Sequence, residues 1–324
     1  MGWTTATDRA PESGERPLLV VLAGPTAVGK TACAVECARA LGTEVLNADA
    51  RQIFRGMEIA TAAPTAAEIG DVPHHFVACL DPAEPMSAGR YGAEARAVLE
   101  GVFQRRRTAV LAGGSGLYLH AVLYGLDDLP ADAGVRAALM EELDRRGLAA
   151  LVDELAERDP LTFGRIDRAN PHRVVRALEV CRSTGKPFSS FQTGAPAGDV
   201  PFDTLVLGLD LPRPELHARI AARLDRMVAD GMEDEARRLH PLAHLNALRT
   251  VGLREWFDHF EGKRTRTEAL DAIRAHTRQY ARRQTTWFRS MPGLSWVPAD
   301  RPGAVLDRVR AACAARGLTM PAAS

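Results

Sequence analysis

The sequence has no net charge: 41 Lys and Arg stand against 41 Asp and Glu. That excludes a protein coated in positive charge, although it leaves room for a local basic patch. There is no CxxC pair, and the five cysteines, Cys33, Cys37, Cys79, Cys181 and Cys313, are odd in number. The pattern suits a reducing cytosol, and a cytoplasmic location is expected. Cys33 and Cys37, four apart on an expected helix, read as small buried hydrophobes. No apolar run approaches the length of a membrane span. The first 16 residues lack an apolar signal core and read as a loose tail. His74-His75 and His240…His244 lack a companion acid at metal-ligand spacing, which makes a metal-dependent hydrolase the weakest reading. No internal repeat or low-complexity segment is present. What remains is an ordinary globular composition, 46% apolar and 25% charged over 324 residues, enough to bury a full core.

From Pro17 to about Gly125 the pattern is strand, loop, helix, repeated. PLLVVLAG reads as a buried strand, KTACAVECARALG as a helix closed by Gly42, and EVLNAD and TAVLAGGSG as further strands. Strands alternating with helices imply a parallel sheet with right-handed crossovers. After DDLP (127–130) the chain turns helical: VRAALMEELDRRG, LAALVDELAERDP, then NPHRVVRALEVCRSTG. The last carries an Asn170 cap, Pro171 in the first turn and Gly185 past the end. A Gly/Pro-rich link, TGAPAGDVP, leads to the strand-like DTLVLGLDL and a helical C-terminal part. The expected fold class is α/β: a P-loop-containing parallel sheet flanked by helices, with a helical insertion domain. The expected boundaries are 17–126 for the first part of the core, 127–199 for the insertion and 200–318 for the rest of the core.

GPTAVGKT follows the first strand directly. Gly24, Gly29, Lys30 and Thr31 satisfy G-x-x-x-x-G-K-[ST], with a strand before and a helix after. In such a loop backbone N–H groups converge on phosphate oxygens at a helix N-terminus. Lys30 adds a positive charge, and Thr31 can hold Mg²⁺. The strand-end Asp usual in an NTPase is missing, because TAVLAGGSG ends in Gly113-Gly114-Ser115-Gly116. The nearest carboxylate candidate is Asp49, at the end of EVLNAD and on the same expected sheet edge as the loop. It could also simply cap a turn.

Seven segments in order are similar to one family: GPTAVGKT, LNADARQIFRGMEIATAAP, VPHHF, LAGGSGLYL, NPHRVVRALEVCRSTGK, TVGLREW and TRQYARRQTTWF. Together they resemble the tRNA dimethylallyltransferases, which transfer a five-carbon unit to adenosine 37 beside the anticodon. The resemblance runs from about Leu18 to Phe288. It implies that the loop, Gly24, Pro25, Thr26, Ala27, Val28, Gly29, Lys30 and Thr31, together with Arg223, holds the diphosphate of dimethylallyl diphosphate. It implies that Thr26 donates to the bridging oxygen and that Asp49 is the base for the adenine N6 amine. The diphosphate then leaves as pyrophosphate, with Mg²⁺ as the implied cofactor. Physically, bond cleavage develops charge on the leaving diphosphate, which such donors stabilise. An amine delocalised into its ring needs a base as the new bond forms.

The implied partner is tRNA, bound through its anticodon stem-loop, in species reading U-starting codons. His172, Arg173 and Arg176 lie on one side of their expected helix, opposite Val174, Val175 and Leu178. Arg278, Arg282, Arg283 and Arg289 interleave with Tyr280 and Trp287 without an acid, a mixture that suits nucleic acid. Similarity also points to Asp49, Ala50, Arg51, Gln52, Ser115, Arg136, Thr250, Val251, Gly252, Arg254 and Gln284. Departures from the family's usual residues stand at Val28, Ala50, Ala60, Ala63 and Leu253, and they put fine substrate positioning in question. A small-molecule kinase, which would bind ATP in this loop, and a free-adenylate prenyltransferase are the alternatives. Neither accounts for the Arg-rich segment or the helical insertion. A monomer is expected.

Overall fold

The computed structural model describes residues 16–126, 129–130, 132–191 and 200–320. The expected N-terminal tail and most of the link over 193–201 lie outside the described residues. Two compact units are present. One runs to Leu123 and resumes at Val200; the other lies between them in sequence.

The first unit opens with β1 (Leu18–Ala23), α1 (Lys30–Leu41), β2 (Val45–Asn47), α2 (Glu58–Thr61), α3 (Ala66–Ile69) and β3 (His74–His75). It continues with α4 (Ala88–Arg105), β4 (Thr108–Gly113) and α5 (Gly116–Tyr124). The second unit holds α6 (Ala133–Arg158), α7 (Pro160–Arg165) and α8 (Pro171–Thr184). The chain returns to the first with β5 (Asp203–Asp210), α9 (Arg213–Ala229), α10 (Met232–Leu239), α11 (Leu253–Phe260), α12 (Arg266–Arg289), β6 (Ser295–Pro298) and α13 (Ala304–Ala314).

The six strands form one parallel sheet in the order β3-β2-β4-β1-β5-β6. β1 sits inside it, with Leu18 opposite Thr108 of β4 and Asp203 of β5. All six of its residues are fully buried. That explains why LLVVLA is continuously apolar: a parallel strand covered on both faces has no solvent side. From β1 the chain steps to β2 on one side of the sheet and later to β5 on the other. The crevice beyond the strand C-termini at such a reversal is where ligands bind in open α/β sheets. Two glycines let the backbones close there. Gly24 follows β1 at φ +149°, and a Cβ on it would fall 2.8 Å from Leu209 O. A Cβ on Gly113 would fall 2.0 Å from Ala48 O.

In the helical unit, Leu139, Leu151 and Leu155 of α6 pack with Val174, Val175, Ala177 and Leu178 of α8. The punctuation of α8 acts as expected: Asn170 accepts from His172 N and Arg173 N, and Gly185 closes the helix in the left-handed region. The two helices expected over 135–160 form one span broken at Gly147, which has φ +79°. The edge strands β3 and β6 were not expected. β3 is only two residues long and β6 is partly exposed, so neither carries an apolar run.

Candidate active site

The loop after β1 turns at Gly24 and Ala27 (φ +65°) and enters α1 through Gly29 at φ +109°. No side chain caps α1, so its first N–H groups remain available to an anion. The Lys30 ammonium folds back on the loop, donating to Gly24 O at 2.9 Å and Pro25 O at 2.7 Å. Burial lowers its pKa to about 8; Asp49 opposes that shift and Arg223 adds to it.

Asp49 lies two residues beyond β2. Its Oδ1 accepts from Arg51 N at 2.9 Å and Gln52 N at 3.3 Å. The turn-capping role considered from sequence is therefore real, but it occupies one oxygen only. Oδ2 makes no hydrogen bond among the described residues and remains able to accept a proton. From α9, Arg223 Nη2 donates to Thr26 Oγ1 at 2.6 Å. Burial lowers the Arg223 pKa, with Asp49 opposing.

Two cavities meet at these groups, sharing Thr26, Asp49, Gln52 and Arg223. The smaller, about 250 Å³, is lined by the loop from Thr26 to Thr31 apart from Val28, with Asn47, Gly113 and Gly114. It has the character of an anion pocket. The larger, about 400 Å³, has an apolar wall of Ile220, Leu224, Met227, Met232 and Ile273. The rest of its lining includes Ala50, Arg51, Thr250, Val251, Gly252, Arg254, Tyr280 and Arg283. The loop cavity thus adjoins a chamber lined by both apolar and polar groups, with the Asp49 carboxylate shared between them. Tyr280 is raised above the usual phenol range, by burial first and by Asp49 second.

Among the described residues no group of three or more His, Cys, Asp and Glu forms a metal cage. Thr31 supplies an oxygen in the loop cavity beside Asn47 and Asp49. That sparse donor set fits Mg²⁺ held mainly through phosphate oxygens and water.

Several expected RNA contacts have their side chains engaged internally. Arg51 donates to Asn246 O and Ala247 O, and Gln52 to Thr61 O and Ala62 O. Ser115 Oγ accepts from Ala50 N at 2.8 Å. Gln284 needs correction as a surface contact. It is 6% exposed, accepting from Thr26 N at 2.8 Å and donating to Gly114 O at 2.9 Å. Packing of α12 against the loop turns it inward. Arg278 and Arg282 are exposed but line a separate groove, while Arg283 reaches the chamber. In the helical unit His172 and Arg173 are exposed. Arg176 is not a free cation there: it pairs with buried Glu179 and donates to Leu129 O and Pro130 O. Arg136 pairs with Glu179 as well, at 2.9 Å.

Sequence reasoning missed two buried carboxylates that support the chamber, Glu235 and Glu255. Glu235 accepts from Ile59 N at 3.0 Å and Ala60 N at 2.7 Å, and burial raises its pKa. Glu255 accepts from Gly252 N at 2.7 Å and bonds His276 Nδ1 at 2.7 Å. Each fastens a segment that lines the chamber. A signal for Glu235 was present: with Met232, Ala236 and Leu239 it shares the buried phase of α10.

The IPP transferase family model matches residues 52–291. A tRNA dimethylallyltransferase of Cytophaga hutchinsonii is 43% identical over 290 residues, 89% of this chain and 94% of that protein. A tRNA dimethylallyltransferase 1 of Porphyromonas gingivalis is 43% identical over 90% of this chain and 97% of its own. Among solved structures, the tRNA isopentenylpyrophosphate transferase of Bacillus halodurans superposes with a TM-score of 0.68 at 33% identity, covering 93% of this chain and 97% of that one. A eukaryotic dimethylallyltransferase acting on tRNA, at 22% identity, shares the fold with a TM-score of 0.77 over 94% of this chain and 81% of its own. With the family match spanning most of its length and close relatives covered almost end to end, the chain belongs to the IPP transferase family.

Proposed function

We propose that this protein is a tRNA dimethylallyltransferase that transfers the dimethylallyl group of dimethylallyl diphosphate to N6 of adenosine 37, in tRNAs reading U-starting codons, and releases pyrophosphate. The observation that carries this reading is the junction of the two cavities at Asp49. The loop, Lys30 and Arg223 lie on one side of it, and a base-sized chamber lies on the other.

In this reading the diphosphate occupies the loop cavity and the dimethylallyl carbon faces Asp49. The carbon–oxygen bond breaks with its electron pair going to the diphosphate. The N6 lone pair forms the new carbon–nitrogen bond, and the N6 proton passes to Asp49 Oδ2. Arg223, bonded to the Thr26 hydroxyl, leaves that hydroxyl's proton free to point at the departing oxygen. Such preorganised donors stabilise charge where it develops. Mg²⁺, held by Thr31 and phosphate oxygens, would further neutralise the diphosphate. The apolar wall suits a hydrocarbon donor and has no evident use in a kinase. RNA contact is assigned to the chamber rim and to the exposed cations of α8 and α12. The target adenine must leave its stack to enter such a chamber. We further propose that the enzyme works as a cytoplasmic monomer; among the described residues no helix is long and apolar enough to cross a membrane.

The test is to incubate the protein with Mg²⁺, labelled dimethylallyl diphosphate and unmodified tRNA, then digest and map the label. Label on the N6 of adenosine 37 is expected. Comparable kcat/KM for AMP, within about tenfold or ~1.4 kcal/mol, would instead favour a free-adenylate enzyme. Steady Lys30-dependent ATP turnover would favour a kinase.

A further inference from the structure

A second groove of the α/β unit lies apart from the chamber beside Asp49. It measures about 1020 Å³ and lies where β5 and β6 end, against the start of α9 and one face of α12. Its lining includes Arg213, Arg278, Arg282 and Arg289. Not one of these guanidinium groups makes a hydrogen bond or an ion pair among the described residues. The carboxylates in the lining, Asp210 and Asp300, pair with none of them. In a chain with equal numbers of cations and anions, this face therefore carries an uncompensated positive charge.

The two faces of α12 are distinct. Ile273, Thr277, Tyr280 and Arg283 line the chamber. Arg278, Arg282, Thr285 and Arg289 line the groove. At about 100° per residue these sets point roughly half a turn apart. The groove is thus a second site, outside the chamber. Arg213 adds the start of a 17-residue helix, whose dipole favours anions. Its neighbour His217 is held below the usual imidazole range, by desolvation first and then by Arg278 and Arg213.

We propose that this groove binds the phosphodiester backbone of the RNA substrate at a place remote from the target base, with Arg213 as a contact beyond the α12 cations already assigned. The spacing favours a polymer over a small anion. Arg278 to Arg289 covers eleven residues, about 16 Å of helix axis. A lone diphosphate cannot reach guanidinium groups so far apart, and the loop cavity already offers it a tighter place. Successive phosphates of one strand can. The inference rests on the proposed reaction for the identity of the RNA, but its test does not need the reaction to occur.

The experiment compares wild type with Arg213→Gln/Arg289→Gln for binding of an unmodified tRNA transcript, at salt from about 50 to about 200 mM. Arg213→Lys/Arg289→Lys serves as the charge-retaining control. Removing two phosphate contacts should flatten the slope of log K against log salt by roughly 1.8. The ratio of variant to wild-type Kd should therefore shrink by roughly tenfold across that range, and the Lys control should keep the wild-type slope. Pyrophosphate binding should be the same in all three. An unchanged slope in the Gln variant would overturn the proposal. So would a variant that loses pyrophosphate or ATP binding while its RNA binding stays intact, because the groove would then serve a small anion. If wild type yields no prenylated adenosine but binds tRNA with a slope the Gln variant lacks, the groove assignment stands and the proposed reaction fails. If transfer occurs and the slopes match, the reverse holds.

Discussion

Replacing Lys30 by Met should make the protein more stable and inactive at once. The ammonium is held at a pKa of about 8 instead of 10.5. That depression means the folded state holds the charged form at a cost approaching roughly 3 kcal/mol, since each pH unit is about 1.36 kcal/mol. Lys30 also touches the open crevice, so solvent screening lowers the figure. Losing its two bonds, to Gly24 O and Pro25 O, costs the variant about 1–3 kcal/mol. A net gain of up to about 2 kcal/mol is expected near pH 7. The pH dependence identifies the cause. A lysine with a depressed folded pKa binds fewer protons folded than unfolded between about 8 and 10.5. Wild-type stability from this group therefore rises with pH across that window. The advantage of Lys30→Met should be fully present below about pH 8 and mostly gone near pH 10. Urea unfolding of both proteins at the two pH values measures it, and the double difference removes every other titrating group. A difference between the proteins that does not change with pH would refute the reasoning. Pyrophosphate should raise the Tm of wild type and leave that of the variant unmoved, marking the strain as one maintained for binding.

Asp49→Asn should lower turnover by roughly 10²–10⁴-fold with tRNA affinity near wild type; near-normal single-turnover rates would remove it from the mechanism. Arg223→Ala should reduce kcat by about 10²-fold or more, and a change confined to KM would limit Arg223 to ground-state binding. Gly113→Ala should destabilise by several kcal/mol or prevent folding, because its Cβ would sit 2.0 Å from Ala48 O; a thermal melt within a few degrees of wild type would contradict that packing. Glu235→Ala strands two buried backbone N–H groups, so a loss of roughly 2–4 kcal/mol in denaturant unfolding is expected.

What could be read in advance, and what could not, follows the range of the interactions involved. The strand–turn–helix around Gly24–Thr31 was legible because its parts are contiguous, and the residues that force the turn are the motif itself. Asp49 was legible because a strand end in a parallel sheet fixes which edge it occupies. Gln284 was not. It sits in TRQYARRQTTWF, a polar, Arg-rich segment that reads as surface, and its partner Thr26 is 258 residues away. Only the packing of α12 decides that this one amide turns inward while Arg282, two residues before it, stays exposed. Arg176 misled for a similar reason: helical phase put it on the basic face, but a buried Glu179 one turn on binds it. Helical periodicity ranks faces by polarity, and it cannot tell a solvated cation from one committed to a partner.

Gln284 also has a consequence for the order of events. Its amide holds the Thr26 backbone with one end and Gly114 with the other, while its own helix presents Arg283 to the chamber and Arg282 to the outer groove. α12 therefore acts as a tiller: any load that shifts it must either carry the Gly24–Thr31 loop along or break hydrogen bonds worth about 1–3 kcal/mol. If the loop holds the donor and the chamber the acceptor, as proposed, the two cannot bind independently. Whatever factor one exerts on the other's affinity is returned in full, and Gln284→Ala, which also removes a residue lining the loop cavity, would shrink that factor for both.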